Sequence, residues 1–261
     1  VAAQGVAWVV EGGKFQHHLT GPVRGYRDVN ADGHCDILMG LHVYRAGNWE
    51  YGPAAVSGRD GSILRTVAPT PRWKIKNITP VGDMTGDGVA DYALGVFERF
   101  NANAGIELRD GVTDRLVWAY YLPGSNGLGT SIHGNIDLNG DGRPDLIATA
   151  AGYRGAGVIL ALDHRGRQIW WLDSPTAGVT YGNRFGTEGL DAVGDLDRDG
   201  TPDFVTGGYD TRPGRGPGCA VVLSGKTGKI LQVGYGALPS DSIGDAVAGV
   251  GDAEPGLVVG M

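Results

Sequence analysis

The stretch Asp195-Leu196-Asp197-Arg198-Asp199-Gly200-Thr201-Pro202-Asp203 places carboxylates at positions 1, 3, 5 and 9 and a glycine at position 6. Side chains at alternate positions converge only if the backbone curls around one point, and glycine permits the sharp bend. Two such carboxylates ~4 Å apart repel by on the order of 4 kcal/mol at an effective dielectric of ~20. A hard cation removes this repulsion. Ca²⁺ fits an all-oxygen shell best, and Mg²⁺ is second because it prefers a smaller octahedron.

The same pattern occurs three more times, at 28–36, 83–91 and 137–145. One match alone would be compatible with an acidic surface turn, but four matches in equivalent places leave little room for chance. We predict four Ca²⁺ sites, with side-chain ligands at positions 1, 3, 5 and 9 and a backbone carbonyl at position 7. The predicted ligands are Asp28, Asn30, Asp32, His34 and Asp36; Asp83, Thr85, Asp87, Val89 and Asp91; Asp137, Asn139, Asp141, Arg143 and Asp145; and Asp195, Asp197, Asp199, Thr201 and Asp203. Thr85 is the weakest side-chain ligand, so its site is expected to be the weakest.

The loops are not EF-hands. An EF-hand needs a glutamate at position 12 and a helix on each side. Position 12 is here Met39, Leu94, Ala148 or Thr206, and the segments leaving the loops are short and apolar, as in Leu146-Ile147-Ala148. Each loop is therefore predicted to join two strands, with the ninth-position aspartate closing the shell.

The loops recur with a period typical of a repeat protein. Successive loops start 54 to 58 residues apart, and a fifth equivalent place at Asp252 keeps the flanks but lacks the middle of the loop. Each unit contains four short apolar segments and a tight turn such as Asp110-Gly111. A period of about 55 residues with four strands per unit indicates the blades of a β-propeller.

The two ends of the chain read as complementary half-blades. The first residues match the third and fourth strands of a unit, and the last residues match the first and second. We therefore predict one all-β domain over 1–261, with half-blades at 1–22 and 241–261. The four-stranded antiparallel blades are predicted at about 23–67, 77–121, 128–173 and 184–234. A closed five-bladed ring follows if the terminal half-blades pair. The alternative is a fragment of a seven-bladed ring.

Composition and charge exclude several classes of protein. Glycine makes up 47 of 261 residues, which suits many turns and bulges. The four loops hold 13 of the 29 acidic residues, so four bound Ca²⁺ would move the net charge from −7 to +1. No basic run suggests nucleic acid. No apolar run approaches the ~20 residues of a membrane span, and two cysteines are too few for a disulfide scaffold.

The cellular location is inferred from the metal. The sequence starts without an initiator methionine or a signal peptide, so we expect a mature or excised segment. Calcium is abundant outside the cell, where sites of millimolar affinity are useful. We therefore expect an extracellular, cell-surface or periplasmic protein, and a monomer.

The loops resemble a known family. Together with the preceding glycines in Gly82-Asp83 and Gly194-Asp195, and with Phe185-Gly186, they are similar to FG-GAP repeats of the integrin α-subunit propeller and of bacterial integrin-like proteins. The resemblance covers nearly the whole chain. It implies Ca²⁺ bound on one face of the propeller and a role in adhesion or extracellular recognition. Family members usually have seven blades, so five would be a departure.

The sequence contains no recognisable catalytic group. The six histidines share no repeat position, and no serine has the context of a nucleophile elbow. We therefore predict a non-catalytic module. A polysaccharide lyase on this scaffold, the enzyme alternative, would need a general base beside a cation at the mouth of the ring, and the sequence offers none.

A second candidate surface lies at the opposite end of the blades, where aromatic residues and arginines recur. Such residues are enriched where proteins bind partners. We expect an extracellular protein or a glycan to bind here. The alternative function is a lectin-like, carbohydrate-binding propeller. A surface without a ligand, on which aromatic residues are scattered along a solvated rim, is the other interpretation. The candidate ligand-binding residues are Tyr44, Arg45, Trp49, Trp73, Phe97, Arg99, Tyr153, Arg154, Tyr209 and Arg212.

Overall fold

A computed structural model describes residues 17–45, 48–67, 73–98, 103–125, 127–151, 153, 157–173, 180–181, 189–209, 218–237, 246–250 and 256–260. These residues form nineteen β-strands and contain no α-helix. Accordingly, none of them belongs to a helix with the length and apolar character needed to span a bilayer.

Three four-stranded antiparallel sheets follow one another, each a meander of consecutive strands. Blade 1 contains β1 (His17–Tyr26), β2 (Asp36–Arg45), β3 (Asn48–Val56) and β4 (Ile63–Thr66). Blade 2 contains β5 (Trp73–Gly82), β6 (Asp91–Glu98), β7 (Ala104–Arg109) and β8 (Leu116–Leu122). Blade 3 contains β9 (Leu128–Ile136), β10 (Asp145–Ala150), β11 (Val158–Leu162) and β12 (Gln168–Asp173).

Blade 4 has the same plan with a first strand in two pieces. β13 (Thr180–Tyr181) and β14 (Leu190–Gly194) both pair with β15 (Asp203–Tyr209), followed by β16 (Cys219–Leu223) and β17 (Ile230–Tyr235). β18 (Ala246–Val250) and β19 (Gly256–Gly260) form a two-stranded sheet. First strands of adjacent sheets contact each other in the order β1, β5, β9, β14, β18. The fold is the predicted all-β propeller with four-stranded antiparallel blades.

The first blade begins earlier than the sequence indicated. The sequence predicts an N-terminal half-blade that ends at residue 22, with Leu19 in its last strand. Instead, β1 pairs with β2 from His17 to Tyr26, and its register shifts only between Thr20 and Val23. Gly21-Pro22 is a bulge within this strand, because proline has no N–H to give to the ladder. Residues 1–16, the rest of that half-blade, lie outside the described residues, and closure of the ring stays a prediction.

The core lies between neighbouring blades. Middle strands are buried on both faces: every residue of β10 and β11 is buried. One cluster joins blades 2 and 3 and includes Val81, Leu108 and Leu146. A second joins blades 3 and 4 and includes Ile147, Trp170 and Phe204. Strands buried on both faces need continuous apolar runs, which explains the unbroken Val158–Leu162 segment.

In blades 1 to 3, a hydrogen bond from the outer strand connects it to the hairpin turn of the next blade. Arg65 donates to the Gly111 carbonyl at 3.2 Å, Trp118 Nε1 to His164 O at 2.9 Å, and Trp170 Nε1 to Gly225 O at 2.8 Å. The indole of Trp170 lies over Gly228, where a Cβ atom would come within 2.6 Å of the ring and φ is +69°. Glycine is therefore required beneath this ring.

Trp170→Phe is expected to lower the free energy of unfolding by about 1–3 kcal/mol, because it leaves the buried Gly225 carbonyl without its donor. Urea unfolding followed by circular dichroism measures this loss. The matched control is Trp171→Phe, since Trp171 Nε1 donates to exposed Asp173 in the same strand. A Trp171→Phe loss as large as that of Trp170→Phe would contradict the role of the inter-blade bond.

Candidate metal centres

Four aspartate-rich loops lie at the same end of the four blades. We name them loop 1 (28–36), loop 2 (83–91), loop 3 (137–145) and loop 4 (195–203). Each follows the first strand of its blade and ends on the first residue of the second strand, at Asp36, Asp91, Asp145 or Asp203. The strand–loop–strand setting predicted from the flanks is confirmed.

The aspartate at position 1 organises the backbone of its loop. In loop 4, Asp195 accepts hydrogen bonds from Asp199 N at 3.1 Å and from Gly200 N at 2.9 Å. The corresponding pairs in loops 1 to 3 have lengths of 2.7–3.1 Å. The loop is therefore curled around this carboxylate before any ion is considered.

Positions 3 and 5 continue the curl. The side chains of Asn30, Asn139 and Asp197 accept from the backbone N–H of position 5 at 2.9–3.2 Å. Position 5 in turn accepts from the N–H of position 7 at 2.8–3.0 Å in all four loops. In loop 2, Thr85 breaks the pattern: its hydroxyl lies 3.4 Å from Asp83 Oδ1.

Two positions of each loop have a left-handed backbone. The glycine at position 6 has φ between +81° and +89° in every loop, as the sharp bend requires. Position 4 is also left-handed, with φ of +58° at Ala31 and +62° at Arg198, whereas loops 2 and 3 have glycine there. The sequence pattern contained this signal in Gly86 and Gly140, but sequence reasoning did not use it.

The ninth-position aspartates are the most buried members of the loops, with side chains 0–1% exposed. One oxygen of each accepts from the N–H of position 2, at 2.6 Å from Val29, 2.9 Å from Met84 and Leu138, and 2.7 Å from Leu196. This carboxylate closes the loop by joining its last residue to its second.

The other oxygen reaches the hairpin between the third and fourth strands. Asp36, Asp91 and Asp203 accept from the N–H groups of Gly58, Gly111 and Gly225 at 2.8–3.2 Å. A Cβ atom on any of these glycines would come within 1.9–2.0 Å of the carbonyl oxygen of loop position 8. These hairpin glycines are functional residues that sequence reasoning missed, although each follows the Ser or Asp that opens the turn.

Loop 3 lacks this contact. Its hairpin, Asp163-His164-Arg165-Gly166-Arg167, is one residue shorter than the other three and has a histidine instead of a glycine directly after Asp163. Asp145 Oδ1 is buried and has no hydrogen-bond partner, and neither has His164 Nδ1.

The ionisation of the carboxyl groups follows their burial and partners. Hydrogen bonds from the Gly33 N–H and its neighbours lower the pKa of Asp28. Burial raises the pKa of Asp91 and Asp203, and it raises the pKa of Asp145 to about 6. The negative charges of Asp141 and Asp137 act on Asp145 in the same direction.

The carboxylates of loop 4 converge most closely. One oxygen from each of Asp195, Asp197 and Asp203 lies within 4.8 Å of the other two. Two oxygens bound to one Ca²⁺ at ~2.3–2.6 Å lie at most about 4.6–5.2 Å apart, so this spacing suits a shared ion. All side-chain donors at positions 1, 3, 5 and 9 of the four loops are oxygens, which hard cations prefer.

The aromatic and arginine residues predicted at the opposite end lie at or near the far ends of the second strands or the adjacent strand starts. Trp73 pairs with Glu98, and Trp49 pairs with Tyr44. Tyr44 is exposed, whereas Phe97 and Tyr153 pack against the core between blades 2 and 3. Only the backbone of Arg45, Trp49, Trp73 and Tyr209 is described. Arg99, Arg154 and Arg212 lie outside the described residues.

Comparisons with known proteins agree with this geometry. The FG-GAP repeat family model matches residues 128–162, which span β9, loop 3, β10 and β11. Integrin alpha-IIb from Mus musculus is 29% identical over 161 residues, covering 51% of this chain and 16% of that protein. A solved structure, the Dos1 propeller, superposes with a TM-score of 0.53 at 10% identity, over 93% of this chain and 52% of that chain. This last likeness supports the propeller fold alone.

The unfolding free energy of the metal-free protein is expected to depend on Asp145 between pH 4 and pH 6. Because the pKa of Asp145 is raised to about 6 by burial, its contribution is fully present below pH ~4 and is lost as the pH rises toward 6. Asp145→Asn cannot ionise, so its stability should fall less over this range in chemical denaturation series.

The matched control is Asp36→Asn, because Asp36 Oδ1 accepts from the Gly58 N–H. An amide NH₂ group at that position cannot accept this bond, so Asp36→Asn should destabilise the protein at every pH. Equal pH slopes for the wild type and Asp145→Asn would contradict the assignment.

Proposed function

The comparisons and the fold support an FG-GAP, integrin-like repeat family for this chain, and from that premise we propose that its four loops bind Ca²⁺ and stabilise the propeller. The observation that carries the proposal is the convergence of Asp195, Asp197 and Asp203 within 4.8 Å. Loops 1 to 3 share the residue pattern of loop 4 and most of its internal hydrogen bonds. The exception is position 3 of loop 2, where Thr85 is a weaker metal ligand.

The ion and the loop would act together on stability. In each loop the backbone N–H groups take up part of the carboxylate charge, and Ca²⁺ supplies the positive charge that the remaining oxygens lack. Because the loop joins the first two strands of a blade, an ion bound there holds those strands together. At ~100 times its dissociation constant, each ion adds about 2.7 kcal/mol to the free energy of unfolding.

The function of the folded propeller is inferred to be non-catalytic. FG-GAP, integrin-like propellers are generally non-enzymatic, and the residues of the loops serve the backbone and the proposed ion. We propose a structural, adhesion or ligand-recognition module in an extracellular, cell-surface or periplasmic setting, where Ca²⁺ is abundant. The chain spans about one sixth of the curated relative, so its partners are inferred from its own surface.

The end opposite the loops is the second element of the proposal. Lys74 Nζ lies 5.6 Å from the centre of the Tyr51 ring, and Lys76 Nζ lies 4.6 Å from that of Phe97. Tyr44 is 39% exposed at the end of β2, in the same region. Aromatic rings beside cations suit an extracellular protein or a glycan with acidic groups.

Ca²⁺ is expected to raise the melting temperature strongly, and Mg²⁺ to raise it less. Asp199→Ala should reduce the Ca²⁺-dependent gain in unfolding free energy by about 2.7 kcal/mol at ~100 times the dissociation constant, because one site is lost. Circular-dichroism melts in chelator and in Ca²⁺ measure the gain for each protein separately.

Comparing gains is necessary because Asp199 also accepts the Thr201 N–H, and its loss weakens the metal-free loop as well. Asp173→Asn, in an outer strand, should leave the gain unchanged. The absence of any Ca²⁺ response in the wild type would overturn the proposal.

The opposite face is tested on a glycan array and against immobilised extracellular matrix proteins in Ca²⁺. Tyr44→Ala should weaken any ligand bound at this face by at least about tenfold, because exposed aromatic anchors dominate such contacts. Leu231→Ala is the control, since Leu231 is 39% exposed, like Tyr44, but lies at the loop end of the outer strand of blade 4. Binding that Tyr44→Ala leaves intact would remove this face from the proposal.

A further inference from the structure

Loop 3 differs from the other three loops by a single change in the neighbouring hairpin. The glycine that elsewhere donates to the ninth-position aspartate is missing, and a histidine follows Asp163 directly. Because this glycine is missing, Asp145 Oδ1 lacks the N–H donor that Asp36, Asp91 and Asp203 have. Asp145 is 0% exposed, so bulk solvent does not reach its carboxylate.

His164 brings a nitrogen to the same loop. Its side chain is 9% exposed, and Nδ1 lies 3.4 Å from Asp141 Oδ2 without hydrogen-bond geometry to any group. The His164 backbone is held by Trp118, whose Nε1 donates to the His164 carbonyl at 2.9 Å. The imidazole is therefore fixed, buried and directed at loop position 5, and no other loop has such a nitrogen within the described residues.

The separation of these two atoms suits two ligands of one small cation. With metal–nitrogen and metal–oxygen distances of ~2.0–2.2 Å and a tetrahedral angle, the two ligand atoms lie about 3.4 Å apart. Asp141 is 39% exposed, which leaves a route from solvent to this point. A buried nitrogen lone pair facing a carboxylate is unfavourable unless a proton or a cation lies between them.

We propose that loop 3 is a mixed nitrogen–oxygen site that takes a borderline first-row cation such as Zn²⁺ in preference to Ca²⁺, with His164 Nδ1 and Asp141 as ligands. Imidazole suits Zn²⁺, Ni²⁺ and Cu²⁺, whereas Ca²⁺ takes oxygen ligands. Water and the other oxygens of loop 3 fill the remaining positions. The inference rests on the proposed function of the loops, and it makes one blade of the propeller respond to a different metal.

The test is a titration of the full chain with Zn²⁺ in the presence of saturating Ca²⁺, followed by isothermal calorimetry. The wild type is expected to bind Zn²⁺ at loop 3, and His164→Ala to weaken that binding by at least about tenfold. Co²⁺ is a second probe, because its visible absorption changes when an imidazole leaves its coordination shell. His164→Ala should remove that change and keep the Ca²⁺ response of the other loops.

His34→Ala is the matched control, since His34 is an exposed histidine in loop 1 whose predicted ligand to Ca²⁺ is the backbone carbonyl, which alanine keeps. It should leave both the Zn²⁺ and the Co²⁺ signals of loop 3 unchanged. A second variant replaces 163–167 with the glycine-containing turn 224–229, which restores the backbone donor and should abolish Zn²⁺ preference while keeping the fold.

The outcomes separate this inference from the proposed function. Ca²⁺ stabilisation with equal Zn²⁺ binding by the wild type and His164→Ala would overturn the histidine site and leave the calcium loops standing. Zn²⁺ binding reduced as much by His34→Ala as by His164→Ala would also overturn it. No response to any of the three ions would overturn both proposals.

Discussion

The buried carboxylate at the ninth position of each loop is the interaction on which the blades depend. It joins the second residue of its own loop to the start of the second strand and, in three blades, joins both to the hairpin between the third and fourth strands. Asp203, for example, accepts from Leu196 N at 2.7 Å and from Gly225 N at 3.2 Å. Burying a carboxylate costs free energy unless its oxygens are satisfied, so the loop geometry and the hairpin geometry constrain each other.

This coupling explains why the choice of residue at the hairpin glycines is as restricted as at the aspartates. At Gly58, Gly111 and Gly225 the backbone approaches the carbonyl of loop position 8 so closely that a Cβ atom would overlap it. The close approach brings the glycine N–H to the buried carboxylate. Where the glycine is absent, in blade 3, the donor is lost as well, and burial raises the pKa of Asp145 to about 6. The shorter hairpin of blade 3 also places His164 beside Asp141.

The two ends of the propeller follow different rules. At the loop end, carboxylate side chains accept hydrogen bonds from the backbone of their own blade, and the proposed cation would neutralise their remaining negative charge. At the other end, the aromatic residues differ in burial: Phe97 and Tyr153 pack on the core, whereas Tyr44 remains exposed. Arg65, Trp118 and Trp170 join the outer strands of blades 1 to 3 to the next hairpin. These hydrogen bonds between blades connect neighbouring sheets, although each sheet is built from segments that are consecutive in the chain.

The sequence by itself determined the all-β class, the repeat, the four loops and the strands on either side of them, because these depend on patterns of nine residues and a period of about 55. The hydrogen bonds within each loop are equally local. Only the tertiary structure decided that His17–Tyr26 is one bulged strand of blade 1, that hairpin glycines complete the buried carboxylates, and that His164 faces Asp141. These depend on contacts between residues 10 to 26 positions apart in the chain. Such contacts are set by strand register and blade packing, which no local pattern encodes.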